Sequence, residues 1–381
     1  MRIIILGGDG FCGWPTSLKL ANEGNEVLII DNLSRRKIDK SLSTKSLTNI
    51  FSIEDRVKIA NQHVGEISYK HINIAEDPEG LRSVIKEFKP SAIVHFAEQR
   101  AAPFSMLGDV ERRYTIDNNI TATHNLCSAI VDIDKDIHLI HLGTMGVYGY
   151  SKAFGRIPEG YLNIKINQTK SDTDILYPAN PGSIYHMSKC LDQLIFQFYT
   201  KNWQLSITDL HQGIVWGIET DEMKKHEGLI NRFDYDGIYG TVLNRFISQA
   251  ANGFPLTVYG SGGQTRAFIH ISDTAKCIQL AIKSPPKREG SVRIFNQVSE
   301  VLNVKQLAEI ISEQYGTDIQ YVQNPRKELR ENELEVENSG LKSIGFNPIT
   351  LKNALLDDIK YIADSTKKSF DQEKVLNSPK W

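Results

Sequence analysis

The sequence predicts an α/β fold: a doubly wound parallel sheet over residues 1–212, then a smaller α/β region over 213–381, partly interleaved with the first. Three observations predict this. Arg2–Leu6 is apolar on both faces, as in a strand covered on two sides, and leads through a glycine-rich turn into a helix-like stretch at 14–23. Strand-like and helix-like segments then alternate as far as residue 212, which requires parallel strands joined by crossover helices. Beyond that point the pattern changes to short strands and amphipathic helices, with no internal repeat.

The turn after the first strand is Gly7-Gly8-Asp9-Gly10-Phe11-Cys12-Gly13. Glycines at 7, 10 and 13 permit a tight turn, close approach of backbone to a pyrophosphate, and close packing of helix on strand. Amides at the helix start then face the anion. The second strand, 26–30, ends in Asp31, where a carboxylate would bind the hydroxyls of an adenosine ribose. Together these describe a Rossmann-type dinucleotide site. A third strand at 69–74 closes on Asn73 and Ile74, followed by a helix at 79–88, a strand at 92–96, a helix at 118–130 and a strand at 138–142. Residues 151–180 are polar and irregular and read as an insertion, a hairpin plus loop, lying over the site. A helix opening at Tyr185, with Leu191, Leu194, Ile195 and Phe198 as its apolar face, and a strand at 205–210 complete the sheet. In the second region 223–239 lacks pattern, Val242–Ala251 is helical, Leu256–Tyr259 and 292–298 are strand-like, and Val304–Tyr315 and 351–362 are amphipathic helices. This region is expected to cover the mouth of the first and to bind substrate.

Composition narrows the functional class. The chain has 381 residues, 24% of them charged, and a net charge of −2, so no basic excess points to nucleic acid. No apolar run approaches the roughly 18 residues a membrane helix needs, and a strand at residue 2 leaves no room for a signal peptide. Cys12, Cys127, Cys190 and Cys277 have no paired spacing. This predicts a reduced, cytoplasmic setting without a zinc or disulfide framework, and no metal site is expected.

Tyr-x-x-x-Lys occurs three times, as Tyr148/Lys152, Tyr161/Lys165 and Tyr185/Lys189. Only Tyr185 opens a convincing helix, which puts Lys189 one turn along on the same side. A phenol titrates near pH 10, so a base acting near neutrality needs a drop of roughly 3 units, from the neighbouring ammonium and an oxidised nicotinamide together. Thr144 closes the fifth strand, where a hydroxyl points into the ligand crevice or caps a turn.

Gly7–Gly13, Asp31, Asn118-Asn119, Thr144 and Tyr185-x-x-x-Lys189 resemble the extended short-chain dehydrogenase/reductase superfamily of nucleotide-sugar epimerases and dehydratases. Longer runs are similar to the UDP-sulfoquinovose synthase family: Gly-Gly-Asp-Gly-Phe-Cys-Gly-Trp from Gly7, Asp31-Asn-Leu-Ser-Arg-Arg36, His95-Phe-Ala-Glu-Gln-Arg100, Leu142-Gly-Thr-Met-Gly146 and Leu256-Thr-Val-Tyr-Gly-Ser-Gly-Gly-Gln-Thr-Arg266. The similarity runs on to Asn324-Pro-Arg326 and Trp381.

The resemblance implies NAD as cofactor, UDP-glucose and sulfite as substrates, and a homodimer, with sulfite free or delivered by a partner protein. Tyr185 would deprotonate the sugar O4, Thr144 would hold O4, and Lys189 would hold the ribose and lower the Tyr185 pKa. Cofactor contacts are implied for Phe11, Cys12, Asn32, Arg35, Arg36, Asn73, Ile74, Asn118, Gln212 and Val215. Asp31 beside Arg35 and Arg36 favours NAD over NADP. Substrate contacts are implied for Gln99, Arg100, Met145, Ser183, Thr257, Gln264, Arg266 and Arg326. Related 4,6-dehydratases place Asp-Glu after the threonine; Met145-Gly146 stand here, a neutral pocket that would admit sulfite. His186 is then the candidate acid for the departing C6 hydroxyl, and Val147 stands where family members carry Glu, which leaves the C5 base open. The alternatives are a 4-epimerase or 4,6-dehydratase and a non-catalytic NAD-binding regulator.

Overall fold

A computed structural model describes residues 1–149, 156–166, 169–170, 175–287, 290–366, 370–376 and 380. Lys152, much of the 151–180 insertion and Trp381 therefore lie outside the described residues.

The first half runs β1 (Arg2–Leu6), α1 (Gly13–Asn22), β2 (Glu26–Asp31), α2 (Ser34–Ser41), α3 (Ile53–His63), β3 (Ile67–His71), α4 (Pro78–Phe88), β4 (Ala92–His95), α5 (Asp109–Ile133) and β5 (His138–Thr144). A small ribbon follows, β6 (Tyr161–Leu162), β7 (Lys165–Ile166), β8 (Thr169–Lys170) and β9 (Ile175–Leu176), then α6 (Ile184–Trp203) and β10 (Ile207–Gln212). The remainder is β11 (Ile214–Trp216), α7 (Val242–Ala251), β12 (Leu256–Tyr259), β13 (Thr265–His270), α8 (Ile271–Lys283), β14 (Arg293–Gln297), β15 (Glu300–Asn303), α9 (Val304–Tyr315), β16 (Ile319–Val322), α10 (Ser339–Ser343), α11 (Leu351–Thr366) and α12 (Gln372–Leu376).

Seven parallel strands form the main sheet in the order β14-β10-β5-β4-β1-β2-β3. Its two faces are covered separately because side chains alternate along each strand. Ile3 and Ile5 pack with Trp14, Leu18 and Ile278, whereas Ile4 and Leu6 pack with Leu81, Leu126 and Phe196. The strand order reverses at β1, so the crevice for a ligand opens at the carboxyl ends of β1 and β4. The second core joins Phe246, Leu256, Phe268, Leu307, Leu355 and Ile359. Among the described residues no helix is long and apolar enough to cross a membrane.

Several elements differ from the sequence reading. The stretch at 292–298 forms β14, which pairs with β10 and so belongs to the main sheet, fed by the unanticipated helix α8. β3 ends at His71, because its partner β2 runs out at Asp31; Asn73 and Ile74 follow in the loop. The helices α2 and α3 were not foreseen, and α2 buries no residue. The insertion does form nested antiparallel pairs, but none of its described residues lines the cleft. Ile157, Leu162 and Tyr177 pack instead beside Tyr148 and Val336. On α6, Leu191, Leu194 and Phe198 are exposed; the helix turns Lys189, Asp192 and Phe196 inward.

Candidate active site

A cleft of about 430 Å³ lies over the ends of β1, β2, β4, β5 and β10, closed from above by residues of the second region. Its floor is the glycine loop. Gly7 has φ +81°, and a Cβ there would sit 2.7 Å from the backbone of Phe96; one on Gly13 would sit 2.1 Å from the Gly7 carbonyl oxygen. Only glycine allows the turn to press this close to β4 and α1. No side chain caps α1 and no acid stands in its first turn, which leaves its leading amides available to an anion. Asp31 lines the same cleft, its carboxylate accepting the amides of Asp9 (3.0 Å) and Leu33 (2.7 Å). Desolvation, then the charge of Asp9, push it up to about 6. Gly10, Phe11, Cys12, Asn32, Arg35, Asn73, Ile74, Asn118, Gln212 and Val215 also line this cleft. Arg36 does not: Asp9 holds it bidentately at 2.6 and 2.8 Å. A glycine cradle, uncapped amides and a ribose-facing carboxylate together fit a dinucleotide without a 2′-phosphate.

Thr144, at the end of β5, and Tyr185, in the first turn of α6, both line the cleft wall; the Thr144 hydroxyl accepts the Gly146 amide (3.1 Å) and stands close enough to Tyr185 to lower the phenol's pKa. The Tyr185 amide donates to Ser105 Oγ (3.1 Å), which fixes the helix start. Removal from water pushes the phenol up to about 12; Lys189 and Arg100 pull it down, and Glu98 pushes it up. Lys189 supplies less acidifying field than the sequence suggests, because its ammonium lies 2.6 Å from Glu98 and donates to the Leu142 carbonyl (2.9 Å). Burial alone would lower its pKa; Glu98, Tyr185 and Asp192 outweigh that and hold it raised. His141 lies between Glu98 (3.0 Å) and Asp209 (2.8 Å), which hold it protonated to about 9 against burial and against Lys189, 2.9 Å away. Glu98, His141 and Asp192 bring ligand atoms within 4.8 Å of one another, the spacing of a metal site, but the Lys189 ammonium stands against all three.

Among the residues for which substrate contacts were implied, Gln99, Arg100, Met145, Gln264, Arg266 and Arg326 also line the cleft. Arg100 is paired with Asp234 at 2.6 Å, and Arg266 with Glu328. Two expected residues are placed elsewhere. Thr257 is buried within β12, where its hydroxyl accepts from Gln249 (3.0 Å). Ser183 caps α6, its hydroxyl accepting the His186 amide (3.1 Å). His186 lines the cleft, but burial, then Arg326 and Arg266, lower it to about 4. A neutral imidazole is a poor proton donor, which counts against the acid role expected for it. Its ring is seated on Gly146: a Cβ there would come 2.2 Å from His186 Cδ2.

The sequence reading missed Glu98, His141 and Arg245, whose guanidinium lines the cleft and donates to Tyr259 (2.6 Å). Glu98 stood inside a run already singled out; an acid at a buried strand end needs a partner, and that was the available signal. The rival pairs have structural roles: the Tyr148 hydroxyl meets Asn296 (3.0 Å), and the Tyr161 hydroxyl accepts the Val292 amide (3.1 Å).

Residues 3–296 match the family model described as the NAD dependent epimerase/dehydratase family. The chain is 40% identical to the chloroplastic UDP-sulfoquinovose synthase of Spinacia oleracea, over 100% of this chain and 79% of that protein. It is 38% identical to the UDP-sulfoquinovose synthase of Sulfolobus acidocaldarius, over 94% and 91%. Among solved structures, UDP-glucose 4-epimerase from Thermotoga maritima with UDP-glucose has a TM-score of 0.70 at 19% identity, covering 97% of this chain and 100% of that one. The Thermus thermophilus UDP-glucose 4-epimerase complex with NAD has a TM-score of 0.67 at 20% identity, with coverage of 97% and 100%. The fold is therefore that of the nucleotide-sugar epimerases, and the chain itself belongs to the NAD-dependent epimerase/dehydratase family and, within it, to the UDP-sulfoquinovose synthases.

Proposed function

We propose that the chain converts UDP-glucose and sulfite to UDP-sulfoquinovose, with Thr144, Tyr185 and Lys189 as its catalytic residues. NAD, held over the glycine loop and at Asp31, would supply the two-electron acceptor for the sugar C4 and the donor that restores it. Tyr185 takes the O4 proton and gives it back when C4 is reduced again, and Thr144 holds the same oxygen. The C4 ketone acidifies C5, so that loss of the C5 proton and the C6 hydroxyl leaves a 5,6-alkene to which sulfite adds at C6. Lys189 keeps its charge through Glu98 and so stays a fixed cation beside the phenol. Arg100, Arg266 and Arg326 line the cleft and would meet the diphosphate and sulfite.

The observation that carries this reading is the Gly146–His186 contact. A dehydratase-like acid at 146 has no room while the imidazole is there. A carboxylate would also repel sulfite, whereas the two guanidiniums that depress His186 attract it. His186 thus shapes the C6 pocket as a neutral hydrogen-bonding group.

Residues 1–212 with α8 and β14 act as the cofactor unit, and the rest of 213–381 binds the nucleotide sugar. A homodimer is supported by the exposed row Met187, Leu191, Leu194 and Phe198 on α6, an apolar stripe a second copy would cover. Four unpaired cysteines fit a cytoplasmic setting; a sulfite-delivering protein remains part of the proposal. Incubation with UDP-glucose and sulfite, read by mass spectrometry, should give a sulfonated nucleotide sugar. A product formed equally without sulfite, UDP-galactose or a 4-keto-6-deoxy sugar, rejects the reading.

A further inference from the structure

The run Asp31-Asn-Leu-Ser-Arg35-Arg36 sets a carboxylate beside two guanidiniums, one sign favouring a plain ribose and the other a ribose phosphate. The structure adds a third, Arg56, from α3. It also shows where each guanidinium goes. Asp9, inside the glycine loop, accepts Arg36 Nε at 2.6 Å, Arg36 Nη2 at 2.8 Å and Arg56 Nη1 at 2.7 Å. Arg36 is also tied to the Phe51 carbonyl (2.8 Å), and Arg56 is wholly buried against the Trp14 ring at 3.9 Å. Arg35 lies over the Tyr239 ring and is paired with Asp39 and Asp234.

We infer that Asp9 is a second determinant of cofactor choice: it occupies the guanidiniums of Arg36 and Arg56, while Asp39 and Asp234 hold those of Arg35 and Arg232, so that a 2′-phosphate on the adenosine ribose meets Asp31 with every nearby guanidinium already paired. The inference rests on the NAD reading above. Asp9 and Asp31 are neighbours, joined by the Asp9 amide, so the loop carboxylate stands at the ribose end of the cleft. Its ionised form is secure, since Arg36 and Arg56 outweigh the cost of its burial and lower its pKa. Asp9→Asn keeps the shape and a hydrogen-bond acceptor but removes the charge. Arg36 then stands near Asp31 without its carboxylate partner, and a phosphate can take that place.

The test is equilibrium binding of NADH and NADPH to the purified full chain at pH 7.5, read by nicotinamide fluorescence, with circular dichroism as a check of folding. The native protein should prefer NADH. In Asp9→Asn that preference should fall by roughly 10- to 100-fold, the worth of about one charge-assisted hydrogen bond, and the gain should vanish in the Asp9→Asn/Arg36→Gln double variant. A folded Asp9→Asn whose preference stays within about threefold of native overturns the inference. If the native protein binds neither dinucleotide, the NAD reading itself fails, a result distinct from these.

Discussion

Gly146→Ala tests the shape of the C6 pocket. Gly146 sits in a buried turn without positive φ, so alanine is allowed there by the backbone. The obstacle is the ring of His186. Its Cδ2 lies 2.2 Å from the position of the new Cβ, and ordinary contact begins at 3.4 Å, so the ring must retreat by about 1.2 Å. His186 sits in the first turn of α6, tethered to the Ser183 cap at 3.1 Å, and Tyr185 is its neighbour. Overpacking of this kind costs about 1–3 kcal/mol. A shift near 1 Å at the phenol lowers turnover by about 10²-fold. With the ring removed, in a His186→Ala background, the same Gly146→Ala change should instead be neutral or stabilise by about 0.4–1 kcal/mol through the unfolded chain. Urea unfolding of the four proteins of this cycle measures the difference. An equal cost of Gly146→Ala with and without the imidazole would refute the steric account.

Glu98→Gln leaves the buried Lys189 ammonium without its closest carboxylate and should cost about 3–5 kcal/mol in urea unfolding at pH 7. Burial alone would raise Glu98; Lys189 and His141 lower it, so its contribution is full above its ordinary pKa and lost as pH falls below it, and the variant should lack that acid loss. Tyr185→Phe should lower turnover by roughly 10²–10⁴-fold while changing UDP-glucose affinity, measured by calorimetry, only a few-fold. His138 is buried against Thr208 (2.9 Å) and is lowered to about 3, chiefly by burial. Its folded pKa lies below the unfolded one, so the stability it contributes is full above about 6.5 and shrinks as pH falls. His138→Asn should therefore gain on the native protein by about 1.4 kcal/mol per pH unit below that point, and a difference constant from pH 7 to 4.5 would contradict it.

What could be read from the chain follows from which forces are local. β1 and the glycine turn were legible because an apolar run and glycine spacing act within a dozen residues. Val242–Ala251, Leu256–Tyr259 and Val304–Tyr315 kept their bounds because caps and periodicity set them: Thr241 caps α7, and Asn303 forms a capping box with Gln306. α2 was invisible because it buries nothing. The place of β14 in the main sheet depends on pairing with β10, more than eighty residues earlier, and no local pattern encodes that. At the site, residue type was legible but commitment was not. Arg36, Ser183 and Thr257 have suitable chemistry, yet each side chain is taken by a neighbour: Asp9, the start of α6 and Gln249. The apolar row of α6 was seen, but its direction was misread. Lys189, Asp192 and Gln193 face inward because Glu98, His141 and His211 meet them there.

The claim on which the account depends is that C4 of the sugar is oxidised and re-reduced within one turnover while sulfite is joined to C6. UDP-glucose deuterated at C4, incubated with the protein and sulfite, tests it directly by mass spectrometry. The account predicts a sulfonated UDP-sugar that keeps its deuterium at C4, with none formed by Tyr185→Phe. A sulfonated product that has lost the deuterium, or deuterated UDP-galactose with no sulfonated sugar, would contradict it.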